Sequence, residues 1–176
     1  MFPSYSFLRL LALLGLLYAC CRTTILAQQP TDQAPVIKLG KISPDQFTNS
    51  STDSTAEAVV LYNLGEVSIE LSANELWLSS VHHVRILIRK KSAYDRATVQ
   101  IPVRRGTSGQ HEFIRNVEGY TYNLANGQVS IDRLAKTGSF TEKASDQFWI
   151  EKFTLPNVRE GSIIEYTYTI RTRVFS

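Results

Sequence analysis

From Glu57 to Thr172 the chain carries short runs in which apolar and polar residues alternate, separated by Gly, Asn, Pro and Ser. Alternation with a period of two places successive side chains on opposite faces of an extended backbone, so these runs predict β-strands. The predicted strands are Glu57 to Tyr62, Glu66 to Leu71, Leu76 to Leu78, His83 to Lys90, Thr98 to Val103, Phe113 to Tyr122, Gln128 to Leu134, Phe148 to Leu155 and Ser162 to Thr172. Asn126-Gly127 is the signal of a type I′ hairpin turn, and Asn63-Leu64-Gly65 reads as a similar break. Ala135 to Phe148 reads mostly as loop. Many short strands with turn signals between them predict an all-β domain, an antiparallel β-sandwich.

The longest patterned stretch is Phe148 to Ile170. In its first strand Trp149, Glu151, Phe153 and Leu155 share one face. Pro156 lacks an N–H and ends the ladder. Gly161 suits a turn back, because a positive φ costs glycine little. In the second strand Ile164, Tyr166, Tyr168 and Ile170 share a face expected to meet the core, and Ile163, Glu165, Thr167 and Thr169 share the other. One apolar and one mixed face imply a sheet covered on one side.

The N-terminal pattern differs. Residues 1–27 combine Arg9 with the short apolar run Leu10 to Ala19 and read as a signal peptide, too short to span a bilayer comfortably. Cleavage is expected between Ala27 and Gln28. The alternative is lipidation of Cys20, since Leu17-Tyr18-Ala19-Cys20 approximates a bacterial lipobox. Residues 28–35 are a polar, proline-containing flexible leader. The sandwich is expected over 36–176, opening with Val36 to Phe47, which carries an alternating piece and a Ser-Pro-Asp turn or short helix start. Asn49-Ser50-Ser51 is a glycosylation sequon in form only.

Charge and cysteine content narrow the partners. The formal net charge is +3, and +1 without Arg9 and Arg22, which gives no electrostatic footprint for nucleic acid or an anionic membrane surface. The two cysteines are Cys20 and Cys21, so the rest of the chain has no disulfide framework and no thiolate metal site. No membrane span is expected in the mature chain.

Chemistry-bearing constellations are sparse. No Gly-x-Ser-x-Gly elbow and no phosphate-cradling glycine loop is present; Gly106 to Gly109 reads as a hairpin or loop. His82 and His83 are neighbours in a strand and point to opposite faces, so they cannot chelate one ion together. His111 has no spacing that joins it to either. Glu165 is the one acid singled out, most simply as a strand-face carboxylate paired with Arg or Lys. Trp77, Trp149, Tyr120 and Tyr122 read as core aromatics, with a sugar-stacking platform as the alternative. The expectation is a chain with no catalytic residues, no cofactor and no metal.

One resemblance covers the chain from about Val36 onward. Leu39-Gly40-Lys41-Ile42-Ser43, Ala56 to Tyr62, His83 to Ile88, Phe153 to Val158 and Gly161 to Tyr166 occur in that order. Together they resemble the uncharacterised domain that precedes transglutaminase-like domains in exported proteins of Bacteroidetes and related bacteria. The resemblance implies an all-β sandwich in the periplasm or cell envelope, acting as a non-catalytic accessory or interaction domain. Its implied partner is a neighbouring transglutaminase-like domain or another envelope protein. It further implies a domain truncated at its C-terminal end, with the last strand an unpaired edge. The alternative is a stand-alone module that binds a glycan or peptide.

Overall fold

The computed structural model describes residues 37–48, 55–105 and 111–174. The predicted signal peptide, the Ala27–Gln28 cleavage point, Cys20, the leader, the sequon and the Gly106 to Gly109 loop lie outside them. Two antiparallel sheets make up the described fold, as the alternation predicts. The larger contains β1 (Ala58–Ser72), β2 (Glu75–Ile88), β8 (Ile163–Arg173), β4 (Glu112–Ala125) and β5 (Gln128–Arg133), in that spatial order. The smaller contains β3 (Thr98–Arg104), β7 (Phe148–Thr154) and β6 (Ser139–Lys143).

Several expectations are corrected. Asn63-Leu64-Gly65 does not break the chain: Gly65 pairs with His82, and β1 runs through to Ser72. The reversal comes at Ala73 and Asn74, both with positive φ (51° and 61°), the pair of conformations a type I′ turn requires. Leu76 to Leu78 and His83 to Ile88 are therefore parts of one strand, β2, which ends before Arg89 and Lys90. Asn126-Gly127 makes the predicted turn, again with both φ positive (51° and 75°). Ser139–Lys143, expected as loop, pairs with β7 as β6. Its residues are almost all exposed, which leaves little apolar alternation to detect.

The expected turn back at Gly161 is also different. β7 and β8 do not pair; Gly161, at φ 81°, ends a crossover that carries the chain from the small sheet into the large one. β8 enters between β2 and β4 and pairs with both, so the last strand is the centre of the sheet and not an unpaired edge.

A central strand is covered on both faces, and this corrects the one-sided expectation. On one face Ile86, Ile88 and Ile164 pack with Ala93, Ala97 and Leu155. Phe153 of the small sheet meets Tyr166 edge to face, with ring centroids 5.8 Å apart. On the other face Leu87, Tyr122 and Ile163 are covered by Ile42 and Phe47. These two belong to the N-terminal strap, 37–48, which ends in the 3-10 turn Pro44–Thr48. Ile164 and Tyr166 meet the core as expected, but Ile163 is equally buried.

The crossover is fastened by side chains. Asn123 Oδ1 accepts hydrogen bonds from Ser162 Oγ (2.5 Å) and Arg159 Nε (2.9 Å), and Asn123 Nδ2 donates to the Asn157 carbonyl (3.2 Å). Asn157 itself adopts φ 54°, which Asn tolerates better than most residues. The Pro-Asn-Val-Arg-Glu-Gly-Ser run thus specifies how the chain changes sheets.

Candidate functional site

The densest polar cluster in the described residues lies between the large sheet and the strap. Strand alternation and register build it. Arg85, Glu165 and Tyr120 stand directly opposite one another across β2, β8 and β4. His83 and Tyr122 flank them on the same face, two residues away along their own strands, because side chains repeat every second residue. Cross-strand neighbours at this spacing lie within side-chain reach.

Glu165 has no solvent exposure. Its Oε1 accepts from Arg85 Nη2 (2.6 Å), Arg85 Nε (3.2 Å) and His83 Nε2 (2.7 Å). Its Oε2 accepts from the Gly40 N–H (3.1 Å) and from the Tyr122 hydroxyl. A carboxylate only accepts, so His83 carries its proton on Nε2 in this arrangement. Burial, then the hydrogen bond to Glu165 and its charge, push the Tyr122 phenol well above its ordinary range.

Arg85 is equally buried and reaches outward to the strap. Its Nη1 donates to Gln46 Oε1 (2.6 Å) and its Nη2 to the Lys41 carbonyl (2.9 Å). Gly40 holds φ 76°, and a Cβ there would sit 3.4 Å from Tyr120 Cζ, so glycine fits both the turn and the close approach. The His83 ring meets Tyr62 edge-on at 5.0 Å. Two buried charges are costly to desolvate, and here that cost is met by a full set of charge-assisted hydrogen bonds.

The predicted pairing of Glu165 with an arginine is present, but in the interior and not on an exposed face. Sequence reasoning did not join Arg85, His83, Tyr122 and Gly40 to it. The available signal was Arg85 itself, a cation inside the apolar run Val84 to Ile88. His82 and His83 do point to opposite faces: His82 stacks on Tyr168 at 4.8 Å. His111 does not join them, and among the described residues no group of three or more His, Cys, Asp or Glu could hold a metal ion. Glu151 of β7 accepts from Thr141 Oγ1 (2.6 Å) and belongs to the small sheet.

The aromatics singled out as a platform are engaged by the chain itself. Tyr122 is fully buried, with Tyr120 stacked on it at 6.2 Å. The Arg133 guanidinium lies over Tyr120, Arg105 over Trp149, and both Arg171 and Arg173 over Trp77. Arginine over a ring face occupies the surface that a sugar would stack on.

A saturated, water-excluded carboxylate can fasten, but it has no lone pair free to take a substrate proton. General acid–base chemistry needs a group within hydrogen-bond reach of substrate. In this arrangement Glu165 accepts five donors, all from its own chain.

No family model matches the sequence, and no curated protein matches it. A solved structure of a "putative protease" from Parabacteroides distasonis is similar in fold, with a TM-score of 0.48 and 15% identity over 66% of this chain. The match spans 23% of that protein's length. Among the described residues no helix is long and apolar enough to cross a membrane.

Proposed function

We propose that this chain is a non-catalytic accessory or interaction domain of an exported bacterial envelope protein, one that normally precedes a transglutaminase-like domain. The observation that supports this reading best is the role of the residues carrying the family resemblance. Glu165 and Gly40 build the buried cluster. Asn157, Gly161 and Ser162 build the crossover. Both specify the fold, and Glu165 at the centre of the cluster is sealed from solvent. Export rests on the pattern of residues 1–27, with lipid anchoring through Cys20 as the alternative to cleavage at Ala27.

Two measurements test the proposal. Purified protein is expected to show no hydrolysis or cross-linking of peptide substrates. Turnover that disappears in Glu165→Gln or His83→Ala, with the fold intact, overturns it. Reading the gene beyond the Ser176 codon tests the accessory role. A domain bearing a Cys-His-Asp set supports it, and a stop codon there favours the stand-alone glycan- or peptide-binding module.

A further inference from the structure

We propose that two copies of this chain associate through the outer edges of β1, pairing antiparallel about a two-fold axis at Ile69. The inference rests on β1 alone and is independent of the accessory reading above. From Asn63 to Ser72 every residue of β1 is exposed, and among the described residues nothing pairs with its outer side. Exposed edges are normally blunted by charged side chains, above all lysine, by proline or by a bulge. Here the charges are Glu66 and Glu70, on one face only, with Glu70 engaged by Arg171 of its own chain. This stretch has no Lys, Arg or Pro, and the one register shift, between Val60 and Tyr62, lies before it.

The side chains divide cleanly by face. Val67, Ile69 and Leu71 stand on one face and are 63%, 68% and 71% exposed. On β2 they stand opposite Ser80, Leu78 and Leu76. Glu66, Ser68 and Glu70 stand on the other face. A continuous apolar row on the outermost strand is unusual for a surface that meets only water.

Charge decides the register. A two-fold axis perpendicular to the sheet pairs residues of equal facing, so the axis passes through one residue. Centred on Ser68, it sets Glu66 against the partner's Glu70 twice, and directly opposed like charges destabilise a sheet. Centred on Val67, it sets Ile69 against the partner's Gly65, which offers no side chain to pack. Centred on Ile69, it sets Ile69 against its own copy and Val67 against the partner's Leu71. Each glutamate then faces a hydroxyl: Glu66 the partner's Ser72, and Glu70 the partner's Ser68. Leu76 and Leu78 of both copies extend the apolar row across four strands. The contact is isologous and closes at two copies.

Sedimentation of the purified protein up to about 0.1 mM is expected to show a reversible monomer–dimer equilibrium, since a strand-edge contact falls in the small, weak class of interfaces. Ile69→Lys sets two lysines face to face and should weaken association by at least about tenfold, with an unchanged melt because the site is exposed. With Cys20 and Cys21 changed to Ser, Ile69→Cys should form a disulfide-linked dimer on mild oxidation, and Ser68→Cys should not. A monomer at every concentration overturns the proposal. So does a dimer insensitive to Ile69→Lys, equal cross-linking of the two cysteine variants, or growth beyond two copies. Binding of an extended segment of another protein along β1, with no self-association, also contradicts it.

Discussion

Tyr122 shows how the buried cluster responds to its surroundings. It is fully buried and donates to Glu165, so losing its proton would place a second anion against a sealed carboxylate. Its folded-state pKa is raised, and Tyr166 and Tyr168 are raised by burial as well. A group raised on folding contributes stability below its unfolded value, here 10.0, and that contribution is lost as pH climbs above it. The domain should therefore lose stability steadily from about pH 10 upward. Tyr122→Phe should make that decline shallower. At pH 8 the same change should cost about 1.5–3 kcal/mol, the worth of a hydrogen bond to a charged group. Urea midpoints at the two pH values check both signs, and an equally steep alkaline loss in Tyr122→Phe contradicts the assignment.

At the scale of elements, β4 is placed by a missing side chain. A Cβ on Gly119 would lie 2.4 Å from Leu155 Cδ2, and Leu155 is 2% exposed in the core that joins the sheets. Gly119→Ala should cost about 1–3 kcal/mol by overpacking. Leu155→Ala creates a cavity of its own, yet the double variant should be more stable than the sum of the two single losses, because the added methyl fills part of that space. Strictly additive losses in denaturant unfolding contradict this packing account.

Elements also show what the sequence makes legible. Alternation located both strands of the Phe148 to Ile170 stretch, and in β7 burial follows side-chain parity, with Glu151 and Phe153 buried. In β8, covered on both faces, Ile163, Ile164 and Glu165 are all buried and parity does not mark a core face. Alternation did not reveal that β7 and β8 belong to different sheets. The crossover and a hairpin carry the same Pro and Gly signals, and the distinction lies in Asn123, distant in sequence, which captures Ser162 and Arg159. Asn63 and Gly65 look like turn residues and predict a break in β1, yet their pairing with β2 is continuous. The true reversal uses Ala73, a residue with no turn signature. The cluster is half legible: Glu165 is marked by its place in the Gly161 to Tyr166 motif, opposite the Tyr166 face, but its donors come from three other segments that only tertiary pairing unites.

Across the whole molecule, one polar cluster links the sheet to its N-terminal cover. Ile42 and Phe47 supply apolar contact, while Gly40, Lys41 and Gln46 are the strap's only hydrogen-bonding groups seen to meet Glu165 or Arg85 among the described residues. The central claim is that Glu165 fastens this strap to the sheet and does not serve chemistry. Amide hydrogen exchange of the protein and its Glu165→Gln variant tests it directly. The account predicts that the variant loses protection at the Gly40 amide and through Pro44–Thr48, while the amides of β2 and β8 that pair with each other stay protected. Unchanged protection across 40–48 in Glu165→Gln would contradict it.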